Sequence, residues 1–215
     1  MAIVYVIIHV FLEMLPISSS THLDMVRDYI LDISASAVDT HVVHGPAGIV
    51  FAFYTFPLVV DLVAYRAWAR LWRWFISGLC ANAVTLIMYS SFSFMHRYSF
   101  SPVIGLGVTI SMIWYASLLT NRWAGAYDPT YSGALWVGVA QGCSFFPGVS
   151  RLAITYAVGR CVGWTHTCSF LFTCALVVPL YLGYWVWKWD DALEILPLDT
   201  YSTILLVSSI VVAYY

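Results

Sequence analysis

Charge is what this 215-residue sequence has least of: Asp, Glu, Lys and Arg make up 9% of it, against about 25% in an ordinary soluble domain. So few charges cannot coat a water-facing surface, and a composition that is 61% hydrophobic is too apolar for a disordered chain. Both facts argue against a soluble globular enzyme. Basic residues are scarce too, with nine Lys and Arg against eleven Asp and Glu, so no basic stripe is available for a phosphate backbone and no nucleic-acid partner is expected. The five cysteines lack the paired short spacings of a zinc site or a disulfide framework and read as small buried hydrophobes. The apolar N-terminus has no basic stretch before it, contains Glu13 and Pro16, and lacks a small-residue cleavage pattern, so it reads as part of the mature chain and not as a signal peptide. With a mean hydropathy of +0.83, the remaining class is an integral membrane protein.

Apolar runs of about 20 residues are long enough to cross a bilayer, and residues 45–65, 74–95, 102–120 and 168–189 qualify. Two shorter runs, 2–17 and 134–149, each end at a proline followed by polar residues. A chain that enters the apolar layer, breaks and turns back is tolerated only where protein or a water-filled cavity covers its backbone. Both runs are therefore read as re-entrant hairpins. The expected fold is an all-α integral membrane protein, a multi-span helical bundle with two re-entrant helical hairpins.

Loop charges set the orientation, because Lys and Arg are retained on the cytoplasmic side. Arg66, Arg70 and Arg73 fall in one short loop, which is placed inside. Asp24, Asp28, Asp32 and Asp39 face a single Arg27, and Asp190, Asp191, Glu194 and Asp199 have no basic neighbour, so both segments are placed outside. Arg122 then lies inside, while Arg97 and Lys188 mildly disagree. The first hairpin enters from outside and the second from inside, the relation an inverted repeat produces. Leu15-Pro16-Ile17-Ser18-Ser19-Ser20 and Phe146-Pro147-Gly148-Val149-Ser150-Arg151 match as apolar-Pro, an optional Gly, apolar-Ser and a polar residue. A single membrane domain over 1–215 is expected, with one repeat over about 1–120 and a second over about 130–215. The last apolar stretch, 201–215, rises only about 22 Å against a hydrocarbon layer of ~30 Å, so the second repeat reads as truncated.

Two polar constellations sit at the broken ends. The first runs from Glu13 through Ser18, Ser19, Ser20 and Thr21 to His22. Ionisable groups at membrane depth are expensive and generally functional; the plainer reading is that the hydroxyls cap a helix starting near His22. The second holds Gln141, Ser144, Pro147, Gly148, Ser150 and Arg151. A Gly-containing break before a helix start favours an anion, and an arginine fork matches phosphate. Alternatively Arg151 snorkels to the interface or pairs with Glu13. Together the groups point to phosphoryl chemistry or anion handling. Ten Trp and fifteen Tyr read as interfacial belts, with Tyr181, Tyr184, Trp185 and Trp187 as alternative walls of a lipid-tail groove.

These motifs are recognisable. Residues 13–22, E-M-L-P-I-S-S-S-T-H, resemble the E-F-L-P-[IV]-S-S-[ST]-G-H signature of the bacterial undecaprenyl-diphosphate phosphatase (BacA-type) family, and residues 147–151, P-G-V-S-R, resemble its P-G-x-S-R-S-G signature. Gln141 falls at a family glutamine, residues 172–179 resemble a family helix ending in proline, and the segment from His41 to Ile49 is loosely similar to an F-[DE]-V-V-x-x-G-[ST] stretch. The resemblance implies a membrane phosphatase that trims a polyprenyl diphosphate to the monophosphate, recycling the lipid carrier of cell-wall synthesis at the bacterial cytoplasmic membrane. It further implies an outward-facing site, a link to bacitracin resistance and dependence on Mg²⁺ or Ca²⁺. Carried over by motif, Glu13 is the acidic catalytic or metal-associated residue, with His9 as a second candidate ligand. Ser18, Ser19 and His22 supply nucleophile and proton transfer, Ser19 and His22 both remaining open as the attacking group. Arg151 holds the diphosphate, with Ser20, Gln141, Gly148 and Ser150 on the substrate side.

The chain departs from the pattern at five places. His9 replaces a family glutamate, Thr21 a glycine and His41 an acidic residue; Leu152 and Ala153 replace Ser-Gly; and the family's terminal span is missing. An imidazole beside one carboxylate holds a hard divalent cation less well than two carboxylates. These departures favour a second class, a non-catalytic relative that binds or transports polyprenyl phosphate. Retention of Glu13, Ser18, Ser19, His22, Ser150 and Arg151 favours the enzyme.

Overall fold

The computed structural model describes residues 2–26, 44–92, 101–119 and 125–187. Within them lie eight helices: α1 Ala2–Met14, α2 Ser19–Val26, α3 His44–Ala64, α4 Trp68–Phe92, α5 Pro102–Leu118, α6 Tyr131–Cys143, α7 Arg151–Cys161 and α8 His166–Trp187. Among the described residues there is no strand, only an isolated bridge between Ala126 and Trp164. Among the described residues three helical stretches are long and apolar enough to cross a membrane, His44–Ala64, Trp68–Ser91 and His166–Trp187, and Pro102–Leu118 is a shorter apolar helix. At 1.5 Å per residue α5 rises about 26 Å. The large apolar residues on these helices are widely exposed, Phe56, Leu79, Ile87, Val103 and Ile110 among them. That pattern belongs to a helix surface solvated by lipid.

One expectation from the loop charges is corrected. Arg70 and Arg73 do not lie in a loop with Arg66, because α4 begins at Trp68. Residues 68–74 contain neither Gly nor Pro, so nothing stops the helix from starting early. Arg70 gains a forked contact to Asp128, Nε donating to Oδ1 and Oδ2 at 3.0 and 2.9 Å and Nη2 donating to Oδ1 at 2.8 Å. The reading of the cysteines holds for Cys168 and Cys174, whereas Cys161 at the end of α7 is exposed. The side chains behind the remaining orientation argument, Asp24, Arg27, Asp28, Asp32, Asp39, Arg97, Arg122, Lys188, Asp190, Asp191, Glu194 and Asp199, lie outside what is described, as do His41 and the stretch 201–215.

Both proline-terminated runs are helix, break, helix: α1 stops at Met14 and α2 starts at Ser19, while α6 stops at Cys143 and α7 starts at Arg151. The most extensive helix contacts are α4 with α6 and α3 with α8. Lipid provides little hydrophobic drive for helices to associate, so close backbone approach matters. At Gly138 of α6 a Cβ would come within 2.5 Å of the Ala81 carbonyl oxygen of α4. A core around Trp74, Trp164, Phe172 and Leu176 ties α4 and α8 to the segment after α7. A second core, with Val10, Leu23, Phe51, Leu152, Val177 and Tyr181, draws α1, α2, α3, α7 and α8 together. The polar constellations meet at this second core.

Candidate active site

Glu13 stands one residue before the end of α1 with its side chain 10% exposed. Its two carboxylate oxygens receive different donors: the Ser19 hydroxyl donates to Oε1 at 2.5 Å, and the Tyr181 hydroxyl donates to Oε2 at 2.6 Å. The break at Leu15 to Ser18 makes the first contact possible by folding the start of α2 back over the end of α1. Ser18 is buried, its hydroxyl 3.2 Å from Thr21 Oγ1. Thus α2 starts at Ser19, three residues earlier than a cap near His22 would place it. His22 Nδ1 lies 2.6 Å from the Ser18 carbonyl oxygen. A carbonyl only accepts, so Nδ1 donates, and in the neutral ring Nε2 then holds the lone pair. Ser20 lies in the first turn of α2.

The second break is held from α5. Ser150 is the N-cap of α7, its hydroxyl accepting the Ala153 amide at 3.3 Å. Thr109 of α5 accepts the Ser150 amide at 2.9 Å and its hydroxyl donates to the Gly148 carbonyl at 3.2 Å. Gly148 has φ +84°, and a Cβ there would fall 2.0 Å from the Pro102 carbonyl oxygen. Arg151, the first residue of α7, donates from Nε to the Ser144 hydroxyl at 3.2 Å. Its guanidinium carbon lies 5.1 Å from the Tyr181 ring centroid and 6.0 Å from that of Phe145. Among the described residues it forms no ion pair with Glu13. Its remaining N–H donors are therefore available to an anion.

Gln141 is fully buried and turned toward α4, with Oε1 3.0 Å from the Thr85 hydroxyl. That hydroxyl also lies 3.0 Å from the carbonyls of Ala81 and Gly138. The amide so placed bridges α6 and α4 at the seam where Gly138 meets Ala81.

Two residues that the motifs did not identify complete the pocket. Tyr181, 4% exposed, touches Glu13, Arg151 and His44 and so is buried in the pocket rather than set at an interface. Beyond Glu13 and Arg151 it stacks on His44, centroids 4.5 Å apart and planes 17° from parallel. His44 opens α3. Its Nδ1 lies 3.0 Å from His9 Nε2, and each of these atoms lies 3.7 Å from Glu13 Oε1. The i, i+4 spacing of His9 and Glu13 puts both on one helix face. His44 lies three residues beyond the histidine that drew notice in the sequence, and only the fold brings it alongside.

These three residues form a group able to hold a metal ion. The cations implied by the motif resemblance, Mg²⁺ and Ca²⁺, take six or more oxygen ligands. Two imidazoles and a single carboxylate are not that donor set, and the residues present do not fit either ion.

Candidate membrane-spanning helices, together with a buried polar pocket at two helix breaks, define a protein consistent with integral membrane insertion. Residues 2–215 match the family model described as bacitracin resistance protein BacA, and the chain belongs to that family. It is similar to the undecaprenyl-diphosphatase of Methanosphaera stadtmanae, 25% identical over 94% of this chain and 81% of the relative. It is similar also to the undecaprenyl-diphosphatases of Halothermothrix orenii, 27% identical over 85% of this chain and 71% of the relative, and of Caldanaerobacter subterraneus subsp. tengcongensis, 30% identical over 80% and 66%.

Proposed function

We propose that this chain is a membrane phosphatase that hydrolyses a long-chain polyprenyl diphosphate to the monophosphate, recycling the lipid carrier of cell-wall synthesis in the bacterial cytoplasmic membrane. The observation that carries this reading is the hydrogen bond from Ser19 to Glu13 in a pocket shared with the uncommitted face of Arg151. A hydroxyl whose proton already points at a carboxylate is placed for activation as a nucleophile. Ser19 Oγ attacks the terminal phosphorus, its proton passes to Glu13, and the polyprenyl monophosphate leaves. Water then attacks the phosphoserine, giving a proton to His22 Nε2, while Glu13 returns its proton to Ser19 Oγ and phosphate is released. Arg151 neutralises charge on the transferred group, the main demand of phosphoryl transfer.

The wider architecture supports the same reading. Ser18 and Ser150 occupy equivalent places before α2 and α7, so Ser19 and Arg151 are equivalent first helical residues. We read the two broken helix pairs as re-entrant hairpins of an inverted repeat within one membrane domain, meeting at a site open to the outer face. The test is phosphate release from a polyprenyl diphosphate by detergent-purified protein beside Ser19→Ala and Arg151→Ala. Loss of release in both variants, with folding retained, is expected; unchanged turnover in either removes its assigned role. One observation favours the second reading, a non-catalytic relative that binds or moves polyprenyl phosphate: the donor set at Glu13 is unsuited to Mg²⁺ or Ca²⁺. Lipid binding without release by the folded wild type decides for it.

A further inference from the structure

We infer that His9, Glu13 and His44 form a two-histidine, one-carboxylate site selective for a zinc-class divalent transition ion over Mg²⁺ and Ca²⁺. The inference deepens the reading of this pocket as catalytic, but it rests on the donor atoms alone. His9 Nε2, His44 Nδ1 and Glu13 Oε1 form a triangle with sides of 3.0, 3.7 and 3.7 Å. The point equidistant from its corners lies about 2.0 Å from each, the bond length of zinc to imidazole nitrogen and carboxylate oxygen. Ca²⁺ takes six to eight oxygen ligands at about 2.3–2.6 Å, and this group supplies one carboxylate and two imidazoles. Mg²⁺ matches the distance but not the chemistry, since imidazole suits borderline ions while magnesium keeps to oxygen and water.

The surroundings are those of a metal site. His9 is 1% exposed, and the side chains of Glu13 and His44 are 10% and 19% exposed. The Tyr181 hydroxyl fixes Glu13 Oε2 while its ring lies flat against His44, so one outer residue orients two ligands. At 3.0 Å the two imidazoles share a hydrogen bond, which requires a proton on one of the facing nitrogens. Ion binding displaces that proton to the other nitrogen of the same ring. Three protein ligands leave a fourth zinc position open, the arrangement of catalytic and not structural zinc.

The test uses the full chain without a polyhistidine tag, purified in detergent and stripped with EDTA that is then removed. Titration with Co²⁺ is followed by its visible absorption, which reports coordination number. One tightly bound Co²⁺ per chain is expected, displaced by equimolar Zn²⁺ but not by about a thousandfold excess of Mg²⁺ or Ca²⁺. His9→Gln and His44→Gln should each weaken Co²⁺ binding by about a hundredfold or more, and His9→Glu should shift preference toward Mg²⁺. Displacement of Co²⁺ by Mg²⁺ at comparable concentration overturns the inference, as does undiminished affinity in a folded His44→Gln protein. If that variant does not fold, selectivity of the wild type decides alone. Phosphate release is measured separately. Selective binding without turnover refutes the phosphatase reading and leaves the metal site standing, whereas turnover without selective binding does the reverse.

Discussion

Three glycines allow the proposed pinning of the second break to be tested by one chemical change, the addition of a methyl group. Gly107 in α5 has nothing within 4 Å of a built Cβ and no positive φ, so Gly107→Ala removes backbone freedom from a helix interior and should stabilise by about 0.5–1 kcal/mol. Gly163 closes α7 with φ +88°, the Gly163 and Trp164 amides donating to the carbonyls of Arg160 and Gly159, and has nothing within 4 Å of a built Cβ. Gly163→Ala therefore carries only the left-handed backbone penalty of about 1–2 kcal/mol. Gly148 has nearly the same φ, +84°, but its Cβ would lie 2.0 Å from the Pro102 carbonyl oxygen. An ordinary contact requires the turn or α5 to move by more than ~1 Å, which raises the total to about 3–5 kcal/mol. That displacement falls two residues before Ser150 and three before Arg151. Misplacement of about 1 Å in a positioning group typically costs around a hundredfold in rate. Thermal unfolding in detergent, followed by tryptophan fluorescence, should rank Gly107→Ala above wild type, then Gly163→Ala, then Gly148→Ala. Phosphate release should survive in Gly163→Ala and fall about a hundredfold in Gly148→Ala. Equal unfolding temperatures and equal turnover for the two positive-φ variants would falsify the claim that α5 sets the position of Arg151.

Two further outcomes follow from single contacts. Tyr181→Phe keeps the ring under Arg151 and against His44 but removes the donor to Glu13 Oε2, and should destabilise the protein by about 1.5–3 kcal/mol while lowering phosphate release; a variant as stable and active as wild type means the carboxylate does not depend on that bond. Burial pushes the Asp128 carboxyl upward, but hydrogen bonds from Arg70 and Trp74 outweigh it and hold the group below its ordinary value. The pairing therefore stabilises at pH above about 4 and is lost as pH falls through the depressed value; because Arg70 is half exposed, the contribution is no more than about 1 kcal/mol. Asp128→Asn should flatten that part of the pH–stability curve, and an unchanged acid limb rules the pair out as a contributor.

The helices were legible because long apolar runs have few other uses. Spans 45–65 and 168–189 differ from α3 and α8 by no more than two residues at either end, and both proline-terminated runs break where expected. The early start of α4 was not legible, since cations oppose the dipole at a helix N-terminus and so argue for a loop, until Asp128 is seen neutralising Arg70. Glu13, Ser18, Ser19 and Ser150 flank the two helix breaks that the proline-terminated runs marked. Tyr181 was read only as a belt or groove residue and His44 was passed over for one physical reason: each sits in an apolar helix with no polar neighbour in a local pattern, and only the packing of α8 on α3 and of α3 on α1 brings them to Glu13. Gln141 shows the converse limit. A buried amide beside a motif fits either a substrate contact or a helix seam, and its partner Thr85 lies on a helix 56 positions away in the sequence.

Tyr181 also explains how a carboxylate and a guanidinium share one pocket without cancelling each other. Had Glu13 and Arg151 paired directly, each charge would be neutralised, and an incoming diphosphate would have to break a desolvated ion pair before binding. The tyrosine separates them by offering each a different part of one side chain. Its hydroxyl donates to Glu13 Oε2, and the face of its ring lies 5.1 Å from the Arg151 guanidinium carbon. A ring face attracts a cation through its quadrupole without neutralising it, and a hydroxyl satisfies a carboxylate without carrying a charge. Arg151 keeps donors for an anion, and Glu13 Oε1 is not taken up by the guanidinium but receives the Ser19 hydroxyl. The two breaks thus contribute unlike chemistry, acid and hydroxyls from the first and a cation from the second, and a neutral residue from α8 keeps them apart for the phosphate group of the proposed reaction.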